Sequence, residues 1–331
     1  MIPFIVSTLT SLLLCLPTSW LLRRWQIIDV PNARSSHVRP VLRGAGSAVI
    51  LTIVLVGSVW PGWADRRTIV LGGSAAVLAA VSFLDDIRSL SPKIRFAFHA
   101  GAACACLLTL SRGQEGRDVD WPLFPVGFLW LAGYLNAFNF MDGINGLATL
   151  QALVTGMGTA LIAWMAGAPA SHPAVILSLV VSGAAAGFLP YNFPRAQMFL
   201  GDAGSAPLGF LLAFLGWWLA HDVGWWLLGL LGLIHANFIL DTAITLARRV
   251  IRKERWLESH REHFYQRLVR AGRSHGEVTG WETILQLIAT GAAAAAVRSG
   301  WTGRWVLGIC VCGMWGLFFG LAERLFRRSG Q

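Results

Sequence analysis

The sequence predicts an all-α, polytopic integral membrane protein of about eleven transmembrane helices, with the N-terminus outside and the C-terminus cytoplasmic. Three observations carry this. Of the 331 residues, 55% are hydrophobic and only 13% charged, against about 25% charged in a soluble domain. Eleven apolar runs approach the ~20 residues that cross a bilayer. The basic residues are shared unevenly between alternate loops. A charge of +10, from 27 Lys+Arg against 17 Asp+Glu, would point to nucleic acid in a soluble chain. Here too few charges remain to cover a water-solvated surface, whereas lipid demands no such cover. Nucleic acid is therefore excluded as a partner, as are a secreted disulfide scaffold, a disordered tail protein and an ordinary cytosolic enzyme.

The runs fall near 3–22, 45–64, 67–84, 95–111, 122–138, 147–167, 173–190, 205–220, 224–247, 281–297 and 304–322. They form one domain, 1–331, without repeats or a soluble module. The first run has no basic leader, and Arg23-Arg24 follow it, so it reads as a retained span and not a signal peptide. With the N-terminus outside, the loops at 23–44, 85–95, 191–204 and 248–280 and the C-terminal tail hold 21 of the 27 basic residues. That is the positive-inside pattern, and it leaves a cytoplasmic face attractive to anionic lipid and substrate. Trp217-Trp218 and Trp225-Trp226 suit an aromatic belt at the outer interface. Cys15, Cys104, Cys106, Cys310 and Cys312 all sit in apolar runs and read as small fillers, with no disulfide or zinc site implied.

Seventeen acids can each be placed. Asp65, Glu115, Asp118, Asp120 and Asp222 fall in short outer loops, where a solvated role is the default. Glu254, Glu258, Glu262, Glu277, Glu282 and Glu323 lie beside basic segments and offset their charge. Asp29, Asp85, Asp86, Asp142, Asp202 and Asp241 remain, all near cytoplasmic ends of spans, where a carboxylate has a job or a partner.

The adjacent Asp85-Asp86 repel unless a cation, a proton or a basic neighbour intervenes. Mg²⁺ suits them, being held by one or two carboxylates plus phosphate oxygens and water; a helix-end cap offset by Arg88 and Lys93 explains the pair equally well. Asn136, Asn139, Asp142, Gly143, Asn145 and Gly146 make a polar turn with close backbone approach. In Gly201-Asp202-Ala203-Gly204-Ser205 the acid sits at a helix N-terminus, where its charge complements the dipole, and a metal–phosphate complex would suit the same place. His260 and His263 are three apart, which would place them on one helical face. The arginines around them favour an anionic ligand over a metal. Carboxylates, Asn, Gly and Arg on one membrane face are the constellation that phosphoryl transfer needs.

At these residues the sequence is similar to the polyprenyl-phosphate N-acetylhexosamine-1-phosphate transferases, the bacterial O-antigen-type initiating enzymes related to the peptidoglycan lipid I translocase. The resemblance runs through Asp29-Val-Pro31-Asn32-Ala-Arg34-Ser-Ser-His37, Pro40 to Gly46, Leu84-Asp85-Asp86, Ser91 to Arg95, Asn136 to Gly146, Phe199 to Ser205, Asp241 with Arg248-Arg249, and the His260–His263 loop. It implies transfer of a sugar 1-phosphate from a UDP-N-acetylhexosamine to undecaprenyl phosphate, with release of UMP and dependence on Mg²⁺, or Mn²⁺ in its place. A deoxy-sugar such as N-acetylfucosamine or N-acetylquinovosamine is the donor its closest subgroup suggests, and a homodimer is one allowed assembly.

Residue by residue, the resemblance makes Asp202 the metal ligand with Asp86 beside it. Asp85 becomes the base toward the lipid phosphate, and Asp142, Asn136, Asn139 and Asn145 contact nucleotide or metal. Arg43 and Arg95 bind phosphate, and His260 and His263 act on the nucleotide or diphosphate. The catalytic loops would be those near 23–44, 85–95, 136–147, 191–205 and 248–280, on the cytoplasmic face of the inner membrane. Asn145 stands where the family has a second Asp, which leaves a hydrogen-bonding role there but no charge. The alternative from another class is a transporter or lipid flippase for an anionic substrate. A carrier should place polar sites at broken helices near the midplane, and the sequence reads as mostly apolar there.

Overall fold

The computed structural model describes residues 1–31, 39–60, 62–88, 90–111, 121–254 and 260–330. Asn32, Arg34 and His37, the outer-loop acids Glu115, Asp118 and Asp120, and Glu258 lie outside the described residues.

All eleven apolar runs are helical. The first eight give α1 (Ile2–Arg24), α2 (Gly46–Ser58), α3 (Arg66–Arg88), α4 (Pro92–Ser111), α5 (Phe124–Phe140), α6 (Leu147–Met165), α7 (Pro173–Asn192) and α8 (Asp202–Val223). The ninth, expected as one span, is two helices: α9 (Trp226–Leu233) and α10 (Ala236–Ile251), bent by 79°. A short α11 (Phe264–Arg270), which hydropathy did not signal, precedes α12 (His275–Val297) and α13 (Trp301–Arg328). Among the described residues seven helices are long and apolar enough to cross a membrane, and the bent pair would make an eighth. The chain is thus an all-α polytopic membrane protein, with one two-residue ribbon, β1 (Ile28–Asp29) antiparallel to β2 (Val41–Leu42).

Small residues set the packing. Ser7, Ser11 and Cys15, four apart on α1, are fully buried. Ser7 and Ser11 donate to the carbonyls of Val180 and Ala184 on α7 at 2.7 and 2.8 Å. Gly183 and Gly187 admit this contact, since a Cβ at either would fall within 2.3 Å of an α1 carbonyl. Close backbone approach of this kind drives association where lipid is as apolar as the side chains. The opposite face of α1 (Ile5, Leu9, Leu13, Leu16) is more than half exposed, as a lipid-facing surface is. Helix α8 is buried throughout its apolar length and forms the axis of the bundle. Trp217 and Trp218 are buried on it, so they serve the core and not the expected interface belt.

At the far end of α8, Asp222 is not a solvated loop residue. It accepts from Arg67 on α3 (2.8 Å), Trp218 (2.8 Å), His221 (2.7 Å) and His172 at the start of α7 (3.1 Å). His172 caps α7 by accepting the Ala174 N–H on Nδ1, so its Nε2 carries the proton toward Asp222 and the contact needs no charged imidazole. One carboxylate thereby ties three helices together.

The break between α9 and α10 explains a second departure. The freed Ile234 carbonyl accepts from Gln151 at 3.2 Å, and Gln286 on α12 reaches the Gln151 carbonyl and Thr155. Asn237 donates to Gln151 and to Glu282. Glu282 is 1% exposed and belongs to this internal network, not to a charge-offsetting loop. Such partners are what let irregular backbone persist inside a membrane bundle. The interior is therefore more polar here than the hydropathy pattern suggests.

Candidate active site

Four segments meet where the C-terminus of α3 faces the N-terminus of α8. The ribbon strand β2 leads into them: Phe199 N–H donates to Leu42 O at 2.8 Å, and Ala45 and Gly46 N–H donate to the carbonyls of Phe199 and Leu200. These bonds fix Arg43 beside Asp202. The glycines of both motifs serve the same approach. Gly201 has φ +66°, and a Cβ there would lie 2.7 Å from the Asp86 carboxylate and 2.9 Å from Gly44 N. Gly46 and Gly204 touch across α2 and α8, where a Cβ on Gly46 would fall 2.2 Å from Gly204 Cα.

Asp86, at the end of α3, is fully shielded. It accepts from the Asp202 and Ala203 backbone N–H groups at 3.3 Å and from Arg43 Nε at 2.8 Å. Its oxygens are spent on pinning the first turn of α8 and orienting Arg43. Asp202 is more open, with its side chain 25% exposed. It accepts from Asn139 at 3.2 Å and lies 3.5 Å from Arg43 and 3.9 Å from Arg95. Asn139 also reaches Ser205 at 2.9 Å. Asp85 pairs with Arg95 at 2.9 Å and accepts the Leu90 N–H, leaving the Arg95 guanidinium 40% exposed.

Asp142 faces this group from the α5–α6 turn. Its burial, reinforced by the Asp202 and Asp86 charges, pushes its pKa well above the usual carboxylate range, and Arg43 offsets only part of that. Around Arg43 the balance runs the other way. Burial opposes its charge, but Asp86 and Asp202 outweigh that and raise its pKa.

The histidines pack against one another, Asp241 and Tyr265. Among the described residues His260 lies in coil and His263 caps α11, so they do not share a helical face, although their rings stand 5.0 Å apart. His263 Nδ1 meets Asp241 of α10 at 2.9 Å, and Tyr265 N–H donates to the same carboxylate. The Tyr265 hydroxyl donates to Phe140 O at 3.0 Å and lies beside Gly143, where a Cβ would sit 2.1 Å from the tyrosine oxygen. Tyr265 is thus a site-building residue that the motif search missed. Its only signal was the glycine it demands. His260 has its pKa pushed down to about 4 by burial, with His263 and Arg249 adding to the effect.

Two expected contacts point elsewhere. Asn136 donates to Ala132 O within its own helix. Asn145 donates to Pro194 O, while its own carbonyl accepts from Thr279 of α12. The residue that replaces the family's second Asp therefore ties α12 to the α7–α8 loop.

Four carboxylates (Asp85, Asp86, Asp142, Asp202) outnumber two guanidiniums (Arg43, Arg95), and the raised pKa of Asp142 marks a carboxyl that keeps its proton for want of a cation. Such a donor set is chemically suited to a hard divalent cation. The donors are all carboxylate oxygens, which suits Mg²⁺ or Mn²⁺. Among the described residues no three His, Cys, Asp or Glu form a ready-made metal cage, so phosphate oxygens and water would complete the shell.

Residues 68–220 match the family model described as Glycosyl transferase family 4. The chain is 30% identical over 289 residues to a probable undecaprenyl-phosphate N-acetylglucosaminyl 1-phosphate transferase of Bacillus subtilis (strain 168), covering 83% of this chain and 78% of that protein. It is 28% identical to a decaprenyl-phosphate N-acetylglucosaminephosphotransferase of Mycobacterium tuberculosis (strain ATCC 25618 / H37Rv), over 79% of this chain and 74% of that one. A phospho-N-acetylmuramoyl-pentapeptide-transferase of Synechococcus sp. (strain JA-2-3B'a(2-13)) is 28% identical over 91% of both chains. With a carboxylate and guanidinium cluster at one end of a membrane bundle and relatives that match most of its length, the chain belongs to the polyprenyl-phosphate N-acetylhexosamine-1-phosphate transferases, membrane phosphotransferases of glycosyl transferase family 4.

Proposed function

We propose that the chain transfers an N-acetylhexosamine 1-phosphate group from a UDP-sugar to undecaprenyl phosphate, releasing UMP and initiating a lipid-linked, O-antigen-like glycan. The active site faces the cytoplasm from the bacterial inner membrane, with the N-terminus outside. The observation that carries this reading is the meeting of Asp86, Asp202, Arg43 and Arg95 at one end of α3 and α8. The relatives' names support the polyprenyl phosphate acceptor and the N-acetylhexosamine donor. The polar network at the α9–α10 break is the one feature a carrier reading would claim; it has no part in the carboxylate cluster, and the relatives are transferases.

The reaction exchanges one phosphoanhydride for another, so the barrier is chiefly that of bringing two anions together. Asp202, with Asp142 and Asp86 in the same cluster, would hold Mg²⁺, which would supply neutralisation of phosphate charge. Arg95, set by Asp85, and Arg43, set by Asp86, hold the two phosphates in line, which contributes through proximity and electrostatics. An oxygen of the lipid phosphate bonds to the sugar-proximal phosphorus; the bond to the bridging oxygen breaks, and that oxygen leaves with UMP. A lipid phosphate is largely dianionic near pH 7 (second pKa ≈ 6), so little proton removal is asked of Asp85. With its oxygens taken by Arg95 and Leu90, Asp85 suits positioning better than attack, which favours direct transfer over an aspartyl-phosphate route. His263, oriented by Asp241, and His260 contact the nucleotide.

The test is incubation of the purified protein with Mg²⁺, undecaprenyl phosphate and a panel of UDP-sugars that includes N-acetylglucosamine and the N-acetylfucosamine and N-acetylquinovosamine donors. Lipid-dependent UMP release with one of them is the expected result. A phosphorylated enzyme trapped without lipid would overturn the direct route, and no release with any donor would overturn the reading.

A further inference from the structure

A groove of about 420 Å³ runs between α10 and the C-terminal part of α13, at the carboxylate end of the bundle but outside the cluster itself. Its floor is apolar, formed by Ile244, Phe319 and the exposed backbone of Gly316 and Gly320. A Cβ at either glycine would meet nothing within 4 Å, so the floor is open. Its rim is basic. Arg248, Arg324 and Arg327 surround one carboxylate, Glu323. Glu323 is already shared by Arg267 at 2.6 Å, Arg327 at 2.9 Å and Arg248 at 3.1 Å, which leaves excess positive charge at the rim. Arg324 is exposed and makes no ion pair among the described residues.

A cationic rim above an apolar, glycine-floored channel on a membrane helix has the shape and charge of an amphiphile site, with an anion at the polar end and a chain below. Basic pockets between membrane helices attract anionic headgroups, each arginine adding to the attraction. We propose that this groove binds an anionic glycerophospholipid, its phosphate against Arg324 and Arg327 and one acyl chain across Gly316 and Gly320. The site is separate from the transfer site, and none of its residues has a part in the reaction described above.

The test uses the full chain in nanodiscs of phosphatidylcholine with increasing phosphatidylglycerol, followed by native mass spectrometry of the released protein. Wild type should retain phosphatidylglycerol over phosphatidylcholine. Arg324→Gln, an exposed change that leaves the fold alone, should weaken that retention about fivefold. Gly320→Leu, which fills the floor, should weaken it as well, with phosphatidylcholine retention unchanged in both. Equal phosphatidylglycerol retention in wild type and both variants would overturn the proposal. So would displacement of phosphatidylglycerol by undecaprenyl phosphate together with a raised KM for that acceptor in Arg324→Gln, which would assign the groove to the substrate. A dimer that Gly320→Leu splits would assign it to a second copy of the chain.

Discussion

The two ends of α8 use the same chemistry to opposite purposes. At its N-terminus four carboxylates meet two guanidiniums, Asp202 stays partly open, and the surrounding glycines bring backbone close enough to crowd the charges together. At its C-terminus one carboxylate, Asp222, meets an arginine, two imidazoles and an indole, and every charge is answered. Carboxylates in excess make a place for a cation and for phosphate; charge answered makes a joint between helices. Spacing along the chain does not distinguish the two, because each is an Asp at the end of an apolar run. What separates them is the count of donors brought in from other helices.

Substitutions at the two ends should therefore separate activity from stability. Asp202→Asn should lower transfer roughly a thousandfold or more with little change in Tm, read as UMP release per folded molecule. Asp222→Asn should do the reverse. It leaves the partly buried Arg67 with only the longer Asp65 contact at 3.7 Å, at a cost of about 1–3 kcal/mol, while turnover per folded molecule stays near wild type. Equal loss of activity from both would erase the distinction. Gly46→Ala should fall between them. Its Cβ would push against Gly204 Cα, an overpacking worth about 1–3 kcal/mol, and moving α2 from α8 should also shift Arg43 from Asp86, lowering both Tm and turnover.

The smallest effect concerns His260. Its pKa falls from an ordinary value near 6.5 to about 4 in the fold. Between those values the unfolded chain binds more protons than the folded one, so stability falls as pH drops through that window. His260→Gln should thus show a smaller Tm loss between pH 7.5 and pH 5 than wild type. An equal or larger loss would mean that burial does not hold this imidazole neutral.

The sequence made the spans and the reactive face legible because both are local: hydropathy runs mark helices, and acids left over after loop accounting cluster near Asp85, Asp142 and Asp202. Contacts between distant segments were not legible. Nothing near Asp222 announces Arg67, 155 residues away. Glu282 looked like one more acid beside a basic loop, and only the break between α9 and α10 brings Asn237 to it. Gly143 and Gly146 read correctly as close backbone approach, but their partners, Tyr265 and Phe193, are known only from the fold. Asn136 and Asn145 carry the right chemistry for a polar site and spend it on Ala132 and Pro194.

The central claim is that the excess of carboxylates at the Asp202 end, and not the Asp222 end, holds the divalent ion that phosphoryl transfer requires. Titration of Mn²⁺ into the purified protein, followed by electron paramagnetic resonance, tests it most directly. The account predicts a single tight site that is lost in Asp202→Asn and intact in Asp222→Asn. A tight site that survives Asp202→Asn, or disappears in Asp222→Asn, would contradict it.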